Sequence, residues 1–377
     1  MVKLSCAVLC VAVLLAASVN ATAVQYRIQD LGTLSGGVAS NAYDVNDFGR
    51  VVGWSSSSSA NYARPVTWSP QGAISMLGTV TGKPYGASYA VSSTGQAVGV
   101  LCDWSDTASG VATLWNANGN PTILGTLPGD HYSAATAINS NGQVVGWSKR
   151  AGARYSRAFL WSASTGMQEI TLLPNAVGGV ATDINDTGHI VGYAVVTKQL
   201  PGYLEEYSRA FRRDGSTITD LGTVAGKYST AQAISSNGQV VGESTFATDH
   251  SQTHAAFWSP QGTATDLTPS IYWAFYTWAT DVNNLGQIVG TSYLGDQDHA
   301  ALWDGAGHVT DLGTLSPQDN YSHAMGINNS GLIVGYGHTS SGDRAFLWTP
   351  VPEPSTLLVL LCGIGGMSGV MWRRWMR

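Results

Sequence analysis

Charge is the first thing this chain is short of: 11% of its 377 residues are Asp, Glu, Lys or Arg, against about 25% in an ordinary soluble domain. That scarcity excludes coiled coils and long salt-bridged helices. Basic residues are the rarer sign, 18 Lys+Arg to 24 Asp+Glu, and no dense basic run interrupts the body. A phosphate-neutralising surface is therefore missing, and nucleic acid is excluded as a partner. Cysteine is nearly absent as well. Of the four, Cys6 and Cys10 fall in an N-terminal apolar run and Cys362 in a C-terminal one, leaving Cys102 alone between them. No internal disulfide can form there, so the stability of the body must come from burial. Catalytic signatures are lacking too: there is no Gly-x-Ser-x-Gly, no His-Glu-x-x-His, no Walker loop and no Cys/His metal spacing. The expectation is a chain with no catalytic residue, no metal site and no cofactor. What is abundant instead is glycine, 45 residues, in a chain 44% hydrophobic, a composition that folds and turns often.

The two ends separate from the body. Residues 1–23 begin Met-Val-Lys, run apolar from Leu4 to Val19, and reach Ala21 and Ala23 at the small-residue positions of a cleavage site. This reads as a secretory signal peptide, too short for the roughly 20 residues of a spanning helix. The far end, 351–377, carries Pro352, Glu353 and Pro354 within 351–356, an apolar stretch over 357–372 and a basic cap over 373–377. The apolar stretch is expected to insert as a transmembrane helix, with the arginines holding its end on the cytoplasmic side and the prolines keeping an extended segment outside. This tripartite tail closely resembles the PEP-CTERM sorting signal of Gram-negative bacteria, which in that family is recognised by a membrane enzyme, exosortase. Pro352, Glu353 and Pro354 match the motif residue by residue. The resemblance implies an exported protein, transiently anchored in the inner membrane and then placed at the cell surface or outside it, with an exosortase-type enzyme as processing partner.

Between the ends, residues 24–350 are one unit repeated. Its motif is Asn/Ser-x-x-Gly-x-x-Val-Gly, with first glycines at Gly49, Gly95, Gly142, Gly188, Gly238, Gly286 and Gly331, hence spacings of 46, 47, 46, 50, 48 and 45 residues. Such a period is that of propeller blades. Each unit offers four strand candidates: one ending at the Asn/Ser turn, the Val-Val-Gly segment, an Ala-Phe-Leu-Trp type ending at Trp68, Trp115, Trp161, Trp258, Trp303 and Trp348, and an Asp-Leu-Gly type around Leu77, Leu124, Leu172, Leu221, Leu267 and Leu312. The segment 26–34 is a fourth strand with no unit of its own, and the last unit stops at 344–348 without one. Pairing the two removes both exposed edges. The expected fold is therefore all-β, a seven-bladed propeller of four-stranded blades closed by the N-terminal strand. Small residues or Asp two positions before each turn (Asp44, Ala90, Ala137, Asp183, Ala233, Asp281, Gly326) suit crowding near an axis. The unit also resembles the HAF repeat of extracellular bacterial proteins, a family often found with the PEP-CTERM tail. The matching triplets are His254-Ala255-Ala256 and His299-Ala300-Ala301, with arginine as Arg157-Ala158-Phe159, Arg209-Ala210-Phe211 and Arg344-Ala345-Phe346. Val111 and Arg213 depart from the pattern, and the fourth blade is expected to be the less regular one.

The Asp-x-Asn-x-x-Gly segments faintly resemble calcium loops, but four of seven copies lack the leading Asp and a hairpin turn is the better reading. The base heading each third strand is expected to pair with the acid of the fourth (Asp30, Asp220, Asp266, Asp311), and the repeated tryptophans to lie between blades. The long, variable connections, second-to-third and fourth-to-first, emerge on one face, where a rigid scaffold presents its binding loops. They hold Tyr62, Trp104, Tyr132, Tyr155, Tyr203, Tyr207, Tyr228, Tyr293 and Tyr321, and are densest over 271–278. Rings beside Asp and Asn suit sugars, so Trp104, Tyr132, Tyr272, Trp273 and Tyr276 are the candidate ligand-binding residues, with exopolysaccharide or another surface polymer as the expected ligand. Trp278 reads equally as core. Two other readings stay open: a polysaccharide hydrolase or lyase using Glu205-Glu206 or Asp296/Asp298, and a structural matrix protein that packs against itself.

Overall fold

The computed structural model describes residues 24–57, 62–103, 110–245, 253–268, 277–294, 297–304 and 308–351. The expected signal peptide 1–23, Trp104, Tyr272, Trp273, Tyr276, Pro352, Glu353, Pro354 and the apolar stretch 357–372 lie outside the described residues.

A hairpin rule builds each blade. In blade 1 the strand Ser40–Val45 runs into the turn Asn46-Asp47-Phe48-Gly49 and returns as Val51–Ser56. Gly49 takes φ of 76° to close the turn, a conformation that glycine adopts without a Cβ penalty. The Asn46 carboxamide oxygen accepts the N–H groups of Phe48 (3.1 Å) and Arg50 (3.0 Å), so one side chain satisfies the turn's loose donors. The glycine of Val-Val-Gly has a different cause. The first strand bulges at Tyr43, which drives a carbonyl toward its neighbour: a Cβ on Gly53 would stand 1.9 Å from the Asn41 oxygen. The other six blades repeat the bulge, at Tyr89, Thr136, Thr182, Gln232, Thr280 and Met325.

Seven antiparallel four-stranded sheets result, and among the described residues there is no helix. Six sheets use consecutive strands. The seventh joins Ser322–Ile327, Ile333–Thr339 and Gly342–Pro350 to the N-terminal Tyr26–Asp30 as its outer strand, with the Leu31 N–H donating to Ala345 C=O at 2.9 Å. The fold is the seven-bladed propeller that the sequence implies, closed by its own N-terminal strand. The first strands of neighbouring blades touch around the whole ring, Ser40–Val45 meeting Ser322–Ile327 at the closure, so they line the axis. The blades belong to a compact unit, Ile28–Thr349. The described residues 24–27 and 350–351 belong to a second, in which the Val351 N–H donates to Gln25 C=O at 2.8 Å.

The core lies between blades. Trp68, Trp115, Trp258, Trp303 and Trp348 are fully buried, and the indole N–H of Trp68, Trp115 and Trp348 donates to a carbonyl of the preceding blade (Leu31 2.9 Å, Gly78 2.7 Å, Leu312 3.0 Å). Buried hydroxyls add a second stitch: the Ala345, Ala112, Ala210, Ala255 and Ala300 N–H groups donate to Ser40, Ser133, Ser229, Thr277 and Ser322 of the following blade at 2.8–3.0 Å. Bases heading the third strands pair with outer-strand acids of their own blade: Arg209 with Asp220 at 3.0 Å, His254 with Asp266 at 2.8 Å, His299 with Asp311 at 2.9 Å, and Arg344 with Asp30 at 3.9 Å.

Blade 3 corrects one assignment. Its outer strand is Gly166–Glu169, and Ile170, not Leu172, donates to the Ala158 carbonyl (2.9 Å) as the outer-strand leucines do elsewhere. Glu169 replaces the usual Asp and binds Arg157 at 2.7 Å. Blade 4 is irregular as expected: its central hairpin, Ile190–Leu200 and Tyr203–Asp214, is the longest, and Arg213 stands opposite Ile190 in the tryptophan's place.

Candidate functional site

The two ends of the axis differ in chemistry. At the end of the tight turns, Asn46, Asn139, Asn185, Asn283 and Asn328 each donate from the side-chain amide to the turn carbonyl of the next blade at 2.9–3.1 Å, the last closing back onto Asn46. Asn46, Asn185, Asn283 and Asn328 rim a cup of about 190 Å³ lined with Asn, Ser and Asp over a ring of Val and Ile. One step inward, Asp44, Asp183 and Asp281 each accept two backbone N–H groups at 2.7–2.8 Å, one from their own blade (Val45, Ile184, Val282) and one from the next (Val91, Ile234, Ile327). These carboxylates clamp blades 1–2, 4–5 and 6–7. Each residue keeps part of its surface on the channel, yet protein surrounds the carboxyl groups. Burial, reinforced by their mutual repulsion at Asp44 and Asp281, raises Asp44 and Asp183 to about 6 and Asp281 to about 8. The oxygens that made these segments resemble calcium loops are thus engaged with backbone.

The other end carries the long loops and the rings. Tyr132, the one candidate ligand residue among those described, is half-buried and lies 6.2 Å from the His131 ring. Tyr62 and Tyr85 meet at 4.9 Å with Arg64 over Tyr85. Tyr207 and Tyr228 meet edge-on at 6.5 Å, and Tyr203 stands 58% exposed on the blade 4 hairpin. Glu205 and Glu206, paired as acids in the sequence, point to opposite faces of that hairpin: Glu205 binds Lys227, and Glu206 binds Arg154 (2.8 Å) and the Tyr155 hydroxyl.

The densest group falls at blades 6 and 7. Trp278 stacks on His323 with centroids 6.0 Å apart, and Tyr321 and Tyr336 flank the same imidazole at 5.3 and 4.9 Å. The Tyr321 hydroxyl donates to Asp343 at 2.7 Å, and His338 Nδ1 meets the same oxygen at 3.2 Å. Thr291 Oγ1 bonds His323 Nδ1 at 2.9 Å. Burial holds His323 below the usual imidazole range and Tyr321 and Tyr336 above the usual phenol range. Trp278 is thus half-open on the channel wall, neither core nor loop tip. Of these residues only Tyr321 and Trp278 stand out in the sequence as loop rings. The signal for the rest was the position just after Val-Val-Gly, which reads Trp54, Val100, Trp147, Tyr193, Glu243, Thr291 and Tyr336.

The family profile described as the PEP-CTERM protein-sorting motif matches residues 350–374. No curated protein matches the chain at a significant level. Among solved structures, the chain is similar to a prolyl endopeptidase (TM-score 0.51, 9% identity, 85% of this chain and 51% of that one) and to virginiamycin B lyase from Staphylococcus aureus (TM-score 0.48, 11% identity, 87% and 100%). It is also similar to oligogalacturonate lyase from Vibrio parahaemolyticus (TM-score 0.46, 8% identity, 88% and 98%). At such identities these likenesses say nothing of the chemistry. The chain is a seven-bladed β-propeller bearing a C-terminal sorting signal, which marks it as an exported protein and implies processing by an exosortase-type enzyme.

Proposed function

We propose that the mature protein is a cell-surface or extracellular-matrix binding module whose long-loop end engages exopolysaccharide or a similar surface polymer, and that it binds this polymer rather than cleaving it. The observation that carries this reading is the division of labour along the axis. The turn end is closed by repeated Asn and Asp bonds, whereas the loop end gathers unrepeated rings beside carboxyls and amides. Aromatic faces with neighbouring hydrogen-bonding groups are suited to pyranose rings. The ion pairs that engage Glu205 and Glu206 leave them poorly placed for paired-carboxylate hydrolysis, which supports binding over catalysis. The sorting tail supplies the route: 357–372 anchors the precursor in the inner membrane until it is processed.

Two experiments test this. A polysaccharide pull-down compares the exported chain with a Tyr132→Ala variant and with a combined Tyr272→Ala, Trp273→Ala, Tyr276→Ala variant. Selective capture that falls at least tenfold in the variants is expected; equal capture by all, or none of any polymer, removes the reading. Fractionation of cells expressing Pro352→Ala, Glu353→Ala, Pro354→Ala should move the chain from the surface fraction to the inner membrane.

A further inference from the structure

Seven-fold repetition fixes the height of every residue on the channel wall, and this brings together groups that the sequence scatters. Asn41 pairs with Trp54, Thr230 with Glu243, Trp278 with Thr291 and His323 with Tyr336, each at the same register one residue past the Val-Val-Gly glycine. They therefore share one level of the axis, toward the loop end, across four consecutive blades: 5, 6, 7 and 1. Three polar groups in this arc lack partners among the described residues. The Asn41 carboxamide oxygen is buried with no hydrogen bond. Glu243 has no hydrogen bond or ion pair, and burial alone raises its carboxyl. His323 uses Nδ1 on Thr291, and Nε2 has no partner. The Asn41 oxygen is closed off, whereas Glu243 and His323 are half-buried, so their free polar atoms remain within reach of an occupant. Glu243 also lines a cleft of about 90 Å³ walled by hydroxyl-bearing Ser208, Thr230, Thr245 and Thr253, space for several waters or the edge of a small ligand. Trp278 and Tyr336 supply the flat apolar faces beside these groups.

We propose that this arc is a saccharide-binding subsite inside the channel, which takes the end of a glycan, an uncharged pyranose with free hydroxyls. The proposal rests on the surface-polymer reading above and sharpens it. Hydroxyls are at once donors and acceptors, so those of the glycan end donate to Glu243 and are bonded by His323 Nε2, while a sugar C–H face covers Trp278. The sign of charge sets the ligand class. Asp298 and Asp343 are the charges acting on His323, and among the described residues no Lys or Arg acts on His323 or Glu243, so a uronate or sulfated sugar would be repelled and left unpaired. The counterparts in blades 2 to 4 are Ala87 with Val100, Ala134 with Trp147 and Val180 with Tyr193, which confines hydrogen-bonding specificity to one side of the channel.

Isothermal titration of the exported full chain with neutral gluco- and galacto-oligosaccharides, and with oligogalacturonate as the charged probe, tests this. Binding of a neutral oligosaccharide is expected, weakened at least tenfold in both Glu243→Gln and His323→Gln, with no binding of the uronate. Thermal melting of the two variants at or above that of wild type keeps a folding defect apart from a binding loss. A neutral oligosaccharide bound equally by wild type and both variants overturns the subsite while leaving the loop face as the polymer contact. Preference for the uronate overturns the charge argument and the subsite with it. Absence of binding to every saccharide and to intact polymer overturns both readings.

Discussion

The three axial carboxylates make stability depend on pH in the direction opposite to most salt-bridged proteins. Asp281 clamps blades 6 and 7 through the Val282 and Ile327 N–H groups (both 2.7 Å), and burial together with Asp44 and Asp183 lifts it from 3.8 to about 8. A carboxyl raised on folding binds its proton more tightly in the native state, so the native chain holds more protons than the unfolded one between pH 4 and 8. Stability is full below the unfolded value near 4 and is lost as pH rises through the folded value. At about 1.4 kcal/mol per tenfold change in proton affinity, complete ionisation of Asp281 costs up to about 6 kcal/mol; Asp44 and Asp183, raised to about 6, cost up to about 3 each. The three titrate as a coupled set and channel water screens them, so the whole set is expected to cost several kcal/mol, less than the sum.

Urea unfolding from pH 5 to pH 9 checks this. Wild type is expected to weaken from pH 5 to about 8, most steeply below pH 6 where all three carboxyls contribute, and to level off above 8. Asp281→Asn removes the charge and sets its amide against one of the two backbone donors, a loss of about 1–3 kcal/mol. The variant should therefore be the weaker protein at pH 5 and the stronger at pH 9, with the curves crossing between. A wild-type stability that is flat or rises from pH 6 to 9, or a variant curve parallel to wild type, would refute the argument that burial governs these carboxyls.

Other consequences are simpler. Gly53→Ala forces a Cβ to within 1.9 Å of the Asn41 oxygen, whereas Gly152, at φ 74°, has nothing within 4 Å. The first should cost more than about 3 kcal/mol and the second about 1, and equal melting temperatures would contradict the bulge account. Asn328→Ala removes the bond that closes the turn ring on Asn46 (3.0 Å) and three turn bonds, from the Ser330 N–H (3.0 Å), the Ser330 hydroxyl (2.8 Å) and the Leu332 N–H (2.9 Å); a loss of about 2–4 kcal/mol is expected in denaturant titration. Deleting residues 24–31 bares the edge of Gly342–Pro350, and size-exclusion chromatography should find aggregates. A monomer there would show that the N-terminal strand is dispensable for closure.

What the sequence carried well was whatever repeats. Val-Val-Gly, the turn glycine and the buried tryptophan recur because each blade solves the same contacts, so the blade count, the strand order and the closure by residues 26–30 were legible. Leu172 stood in for Ile170 because blade 3 writes the end of the outer strand as Glu-Ile, where four other blades write Asp-Leu and two more end in Leu, and a leucine follows two residues on. The buried hydroxyls Ser40, Ser133, Ser229, Thr277 and Ser322 escaped for another reason. Serine ahead of a strand looks like a loop residue until the donor from the neighbouring blade is seen. The channel arc was harder still, since its members lie roughly one blade apart in sequence and only the bulged register sets them level. Tyr132 alone of the candidate loop residues could be placed, and it lies in blade 3, away from that arc.

The arc also bears on whether the ring is purely structural. At the level of Glu243 the other blades place Trp54, Val100, Trp147, Tyr193, Thr291 and Tyr336, any of which covers the wall without burying a charge. A carboxylate desolvated there with no partner works against folding, as does the unpaired Asn41 oxygen in blade 1. If stability alone governed this wall, Glu243→Thr and Asn41→Ala would both be tolerated or stabilising and would leave every interaction of the exported protein intact. If the wall holds a ligand, Glu243→Thr raises the melting temperature of the free protein and abolishes the further rise that a neutral oligosaccharide gives to wild type. That pairing of gained stability with lost ligand response is what a functional polar group in a structural position predicts, and a gain in stability with the ligand response preserved would assign the arc to the scaffold.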